Sequence, residues 1–157
     1  MTEACYFYGT LMAEEVIGDV LCGRKADAVI KKNKLNTLQL EPAVLKGYRR
    51  YAVKHATYPG ILASENKNDQ VQGILCKGLS LKDVDALDNY EGDEYQRYTT
   101  TVMLSEKLDK EEPDDKKQVS CQVYVWIADK RQLEDHDWDY EYWRRHYLPS
   151  YSSSKDF

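Results

Sequence analysis

A carboxylate that shares a helix face with apolar side chains is a candidate for proton transfer, and "LSLKDVDALDNYEGDEYQR" contains one. The stretch predicts a helix over Leu81–Glu91. Ser80 is the candidate N-cap, with Asp83 three residues on as in a capping box, and Gly92 is the left-handed stop. Leu81, Val84 and Leu87 define its apolar face. Seven residues bring a helix back to within about 20° of the same direction, so Glu91 lies on the face of Val84 and Leu87. Two readings are open. Held against a core, Glu91 is desolvated and lies at the negative end of the helix dipole. Both effects raise its pKa toward that of a general base. Alternatively, the helix frays early and Glu91 reaches solvent or pairs with Arg97. Asp85 and Asp88 point away from Leu87 and read as surface. Glu94, beyond Gly92, reads either as a second functional acid or as a surface partner of Arg97.

The second stretch is "CYFYGTLM", residues 5–12. A strand over Ala4–Tyr8 ends in Gly9-Thr10 and leads into a helix. Such a turn exposes backbone N–H groups that suit a carboxylate or a developing oxyanion, and Thr10 adds a hydroxyl. An ordinary Gly-Thr turn fits the same residues.

The rest of the chain must position these two stretches. In "LMAEEVIGDVLCG", Val16, Ile17, Val20 and Leu21 recur at helical spacing. Glu14 and Glu15 fall in its first turn, and Gly23 closes it. Strands are predicted in "NTLQLEPAVL", where Pro42 points to an edge or turn, and in "LKGYRRYAVK", "VQGILCKGL" and "RYTTTVML". A turn is predicted at Pro59-Gly60. "VSCQVYVWIA" reads as a central strand, with Val119, Cys121, Val123, Val125 and Ile127 on one face and Tyr124 and Trp126 on the other. Residues 105–118 form a charged loop between two strands. A final helix over about 135–148, ending before Pro149, carries the pairs Trp138/Tyr142 and Trp143/Tyr147 as a stripe that packs on the body. Its acids, Asp135, Asp137, Asp139 and Glu141, read as a solvated face rather than a metal site. Many strands with few, short helices give an α+β class with a curled sheet or small barrel at the centre.

Composition narrows the function. The chain has 157 residues and no compositional break, as expected for one domain. A net charge of −5 argues against nucleic acid as a partner. No run is long and apolar enough to span a bilayer, and the first residues lack the pattern of a signal peptide, so a cytoplasmic location is expected. Cys5, Cys22, Cys76 and Cys121 lie far apart and read as reduced thiols. His55, His136 and His146 form no ligand motif, so neither metal nor other cofactor is predicted. The expected oligomeric state is a monomer or a weak homodimer.

Taken together, "YFYGTLM", "LKGYRRYAV…YPGIL", "LSLKDVDALDNYEGDEYQR" and "VYVWIADKRQLEDHDWDYEYW" resemble the gamma-glutamylcyclotransferase-like family, in its plant and fungal avirulence-induced-gene branch. The resemblance runs over most of the chain. The order Tyr-Gly-Thr-Leu then Asp-x-Tyr-Glu-Gly is its most specific part. It implies a small mixed β-barrel with flanking helices. It implies that Tyr8, Gly9, Thr10 and Leu11, extending to Met12 and Ala13, line a substrate pocket, and that Glu91 is the catalytic acid/base. The family reaction closes a gamma-glutamyl amide to 5-oxoproline without a cofactor, on a small-molecule substrate. Tyr58-Pro59-Gly60 and Tyr124 are further candidates for the pocket wall, and Arg97 for bracing the Glu91 loop. A non-catalytic module of the same fold, holding a metabolite or protein in stress or defence, is the alternative.

Overall fold

The computed structural model describes residues 2–105 and 117–149. The charged loop predicted at 105–118 therefore falls mostly outside the described residues. The elements are β1 (Glu3–Phe7), α1 (Glu14–Cys22), α2 (Ala28–Asn36), β2 (Gln39–Lys46), β3 (Tyr48–Ala52), β4 (Pro59–Ala63), β5 (Gln70–Leu79), α3 (Leu81–Glu91), β6 (Tyr95–Leu104), β7 (Gln118–Trp126) and α4 (Tyr140–His146). Five strands close a barrel in the order β1-β5-β2-β6-β7, and β3 with β4 forms a separate antiparallel pair. Only the β1–β7 contact is parallel, with Cys5 opposite Gln122 and Tyr6 opposite Val123. The class is thus α+β, a small mixed barrel with flanking helices. β7 lies between β6 and β1, as a strand apolar on both faces must.

Side-chain alternation divides the core. Tyr6 and Tyr8 pack with Leu45, Leu75, Val102, Cys121 and Val123. Cys5 and Phe7, one step out of phase, join Val16, Ile17, Val84, Leu87, Tyr124 and Trp126 under the helices. The four cysteines are free thiols, and burial pushes Cys5, Cys76 and Cys121 up to about 12.

α3 has the predicted bounds. Ser80 Oγ accepts from the Asp83 N–H at 3.0 Å and Asp83 Oδ2 accepts from the Ser80 N–H at 2.9 Å, completing the capping box. Lys34 on α2 donates to the same Asp83 oxygen at 2.7 Å. Although desolvation opposes it, that bond helps hold the Asp83 carboxyl below the usual range. Gly92, at φ 76°, ends the helix in a backbone conformation that disfavours a side chain.

Several expectations are corrected. Leu81 is 69 % exposed because it is the first residue of α3, ahead of the turn that meets the core. Ile127 is exposed because β7 has already ended. Pro42 lies inside a barrel strand, opposite Ile74. Its missing N–H faces the frayed end of β6, where its carbonyl accepts from the Ser105 N–H at 3.0 Å. Pro59-Gly60 opens β4, and the turn precedes it. The last helix starts at Tyr140 rather than near 135. Lys54 and Glu134 donate to Gln132 and Ala52, and Ala52 donates to His136, so this segment extends along β3 before Asp139 caps α4. Of the aromatic stripe, Trp138 and Trp143 are buried, whereas Tyr142 and Tyr147 are exposed. α2 was not predicted: its Val29 and Ile30 face solvent, so no apolar periodicity marks it.

Gly73 lets β5 pass close to the end of β1. A Cβ there would stand 2.3 Å from the Phe7 carbonyl oxygen and 2.8 Å from the Tyr6 ring. Backbone cannot yield as a side-chain end can, so Gly73→Ala is expected to destabilise the fold by about 2 kcal/mol or more. Urea denaturation checks this, and an unchanged midpoint would refute the close approach.

Candidate active site

The end of β1, the end of α3 and the middle of β7 meet at one cavity of about 260 Å³. Tyr8, Gly9, Thr10 and Leu11 line one side of it, and Glu91 and Glu94 another. Tyr58, Pro59, Tyr95, Tyr124 and Trp143 complete much of the wall. Among the described residues, the lining contains no Lys, Arg or His.

Glu91 is the last residue of α3, and Val84 and Leu87 on the same face are buried. The carboxyl is surrounded by protein apart from the cavity it borders. No hydrogen bond or ion pair reaches it among the described residues. Desolvation first, and the negative charge of Asp88 one helical turn back second, push it up to about 8. The reading in which it pairs with Arg97 is corrected. Arg97 Nε and Nη2 instead donate to Asp88, at 2.9 and 3.3 Å. Asp88 is therefore no plain surface acid, since it also accepts from the Tyr124 hydroxyl at 2.7 Å. Nor is Glu94 a surface partner of Arg97. It accepts from the Tyr58 hydroxyl at 2.9 Å, and its carbonyl accepts from the Ile127 N–H at 2.8 Å.

The Tyr8–Leu11 side is clamped in place. The Tyr8 hydroxyl donates to the Tyr124 carbonyl at 2.6 Å, and the Tyr8 carbonyl accepts from Arg50 Nη1 at 2.8 Å. Arg50 also grips Asp137 and lies 5.6 Å over the Trp138 ring, so the C-terminal segment is fastened to this turn. Gly9 passes Pro59 so closely that a Cβ would meet its ring at 3.0 Å. Thr10 Oγ1 and the Tyr90 hydroxyl are 2.8 Å apart. Thr10–Met12 form a single 3-10 turn in which Met12 donates to the Gly9 carbonyl and Ala13 to that of Thr10. The N–H groups of Gly9, Thr10 and Leu11 make no hydrogen bond among the described residues.

Two of the anticipated pocket residues lie elsewhere. Met12 borders a separate groove beside Trp138 and Tyr140. Ala13 is buried and serves as the extended N-cap of α1. Tyr90 and Trp143 line the cavity and are not among the expected residues, and Tyr95, which follows the family pattern in "EYQR", lines it too. Tyr95 is positioned by its hydroxyl bond to the Pro59 carbonyl at 2.6 Å and its edge-on contact with Trp126 at 5.3 Å. Tyr90 adjoins Glu91 in sequence, which was the available signal. Nothing local marks Trp143, because its place depends on how the C-terminal segment returns. No group of His, Cys, Asp or Glu side chains is arranged to hold a metal among the described residues, and no helix there is long and apolar enough to cross a membrane.

The family model described as gamma-glutamyl cyclotransferase, AIG2-like, matches residues 5–145. The chain belongs to that family. This gamma-glutamyl cyclotransferase family member is 30 % identical to Protein AIG2 C of Arabidopsis thaliana over 139 residues, covering 88 % of this chain and 70 % of that one. It superposes on the solution structure of another Arabidopsis thaliana protein with a TM-score of 0.63 at 25 % identity, covering 96 % and 85 % of the two chains. A yeast gamma-glutamyl cyclotransferase specific to glutathione has the same fold, with a TM-score of 0.55 at 10 % identity over 87 % and 73 % of the chains.

The raised pKa of Glu91 has a stability consequence. A carboxyl whose folded pKa lies above its ordinary 4.5 favours the fold at low pH. That contribution falls away as pH rises from about 4.5 to about 8 and is gone above. Glu91→Gln removes the ionisation. Its stability relative to the parent should therefore grow across this window, reaching on the order of 5 kcal/mol at alkaline pH. Parallel urea titrations at the two ends of the window measure it, and a constant difference would contradict the buried, unpaired carboxyl.

Proposed function

We propose that this protein is a gamma-glutamylcyclotransferase that releases 5-oxoproline from a gamma-glutamyl amine or amino acid, with Glu91 as general acid/base. The observation that carries the reading is the Glu91 carboxyl itself. It is unpaired among the described residues, borders a small cavity and is pushed up to about 8.

The chemistry needs little else. The substrate's α-nitrogen attacks its own γ-carbonyl carbon, forming the ring C–N bond. The amide C–N bond then breaks and the amine departs. The attack is intramolecular, so holding the substrate curled supplies much of the rate. Glu91, ionised, takes a proton from the attacking nitrogen. Now protonated, it returns that proton to the leaving nitrogen. A carboxyl with pKa near 8 suits both halves, because neither transfer is steeply uphill near neutral pH. With no cationic side chain in the described lining, the free N–H groups of Gly9, Thr10 and Leu11 serve the α-carboxylate and the oxyanion.

Glu91→Gln should lower 5-oxoproline release by about 10² to 10⁴ while circular dichroism stays unchanged. The assay is mass spectrometry on a panel of gamma-glutamyl amides. A variant as active as the parent would remove Glu91 from the mechanism. Silence of the parent on every amide would remove the activity.

A further inference from the structure

Arg97, Asp88 and Tyr124 form a hydrogen-bonded chain that ends at the cavity without passing through Glu91. Arg97 and Tyr124 are directly opposed across the β6–β7 ladder, and Asp88 reaches over them from α3. Asp88 Oδ1 accepts from both the Tyr124 hydroxyl, at 2.7 Å, and Arg97 Nε, at 2.9 Å. Arg97 Nη1 donates to Gln122 Oε1 at 3.0 Å, and Gln122 Nε2 donates to Thr99 Oγ1 at 2.9 Å, so the guanidinium is steadied from the barrel. Tyr124 in turn offers its carbonyl to the Tyr8 hydroxyl. Asp88 precedes Glu91 by three residues on one helix, the spacing at which side chains are neighbours.

We propose that Asp88 and Arg97 are positioning residues for the Glu91 site. Asp88 holds the Tyr124 phenol at the cavity wall and sets a negative charge one helical turn from Glu91, and Arg97 sets a positive charge against it. The role in turnover rests on the reading of Glu91 given above; the electrostatic coupling does not.

The surroundings of Glu91 leave Asp88 as the charge that matters. On α3 itself the neighbours are Asp88 and Tyr90. Glu94 follows in the next turn, hydrogen-bonded to Tyr58 from the segment before β4. Tyr8 follows β1, Tyr95 opens β6 and Tyr124 lies on β7. Burial pushes the Tyr8, Tyr58, Tyr95 and Tyr124 phenols upward, so they are neutral hydrogen-bonding groups at ordinary pH. No cation lines this wall among the described residues. Arg97 is paired with Asp88, so its positive charge sits beside that carboxylate and opposes its field at Glu91.

The test is the titration of the Glu91 side chain, followed by carboxyl-carbon NMR in the full chain, which needs no substrate. Asp88→Asn should lower the midpoint by about 0.5 to 1 in pH, and Arg97→Gln should raise it by a similar amount. Arg97→Lys, which keeps the charge, should leave it near the parent value. The double variant Asp88→Asn/Arg97→Gln should return near the parent value, since the two opposed charges are removed together. Amide dispersion in the same samples checks the fold. If Asp88→Asn does not fold, the opposed behaviour of Arg97→Gln and Arg97→Lys decides the matter. Where the parent releases 5-oxoproline, the acid limb of kcat/KM should move with each midpoint. An unmoved midpoint in Asp88→Asn or in Arg97→Gln overturns the proposal. The predicted midpoints in a protein that turns over no gamma-glutamyl amide would uphold the coupling and reject the reaction.

Discussion

One constraint organises this molecule: a largely desolvated carboxyl is held at a cavity wall, with no cation paired to it among the described residues, at the end of a short helix. Left to itself, such a group would fray the last turn and hydrate. The start of α3 resists this, because the capping box of Ser80 and Asp83 and the ion pair from Lys34 fix where the helix begins. Leu87 and Val84 fix its rotation by burial. Gly92 then turns the chain sharply, so β6 can start beneath the carboxyl rather than beyond it. The cost of desolvating Glu91 is met by interactions spread along the whole helix, which is why no single partner at Glu91 is required.

Barrel closure supplies the opposite wall. The parallel contact between β1 and β7 brings Tyr8 and Tyr124 together although they are 116 residues apart. Arg50 then ties the Tyr8 carbonyl to Asp137 and Trp138. The turn after β1 is therefore held by the barrel on one side and by the C-terminal segment on the other. Gly9 allows Pro59 to close the gap between them. A turn so fastened can keep three backbone N–H groups unbonded beside a cavity, where a looser one would fold them onto its own carbonyls.

What could be read from the residues follows from the range of the interactions. α3 and the inward aim of Glu91 were legible because capping, periodicity and glycine termination all act within one helix. The burial of Tyr124 and Trp126 opposite Val123 followed from strand alternation. Contacts set by distant segments were not legible. Asp88 looks like surface on a helical wheel, because the strands that supply Tyr124 and Arg97 cannot be seen from the helix alone. Met12 and Ala13 were assigned to the pocket as a continuous run, and the 3-10 turn breaks that run. The final helix is predicted from about 135, yet the Glu134 N–H and the His136 carbonyl bond to Ala52 of β3, a contact no local spacing reveals.

The charge distribution gives these pieces a common logic. An arginine inside the cavity would bind an anionic substrate group directly, but it would also stabilise ionised Glu91 and pull its pKa back down. Both arginines near the site, Arg50 and Arg97, have their charge engaged outside the cavity lining, by Asp137 and Asp88. Arg50 reaches the turn only through a backbone carbonyl. The donors left beside the cavity are neutral: the backbone N–H groups of Gly9, Thr10 and Leu11, since the Tyr8, Tyr58, Tyr95 and Tyr124 hydroxyls donate to protein acceptors. Neutral donors can orient an anion without neutralising the base beside it. A carboxyl whose pKa stays near 8 needs this separation, and the fold achieves it by stationing Arg50 and Arg97 one layer back.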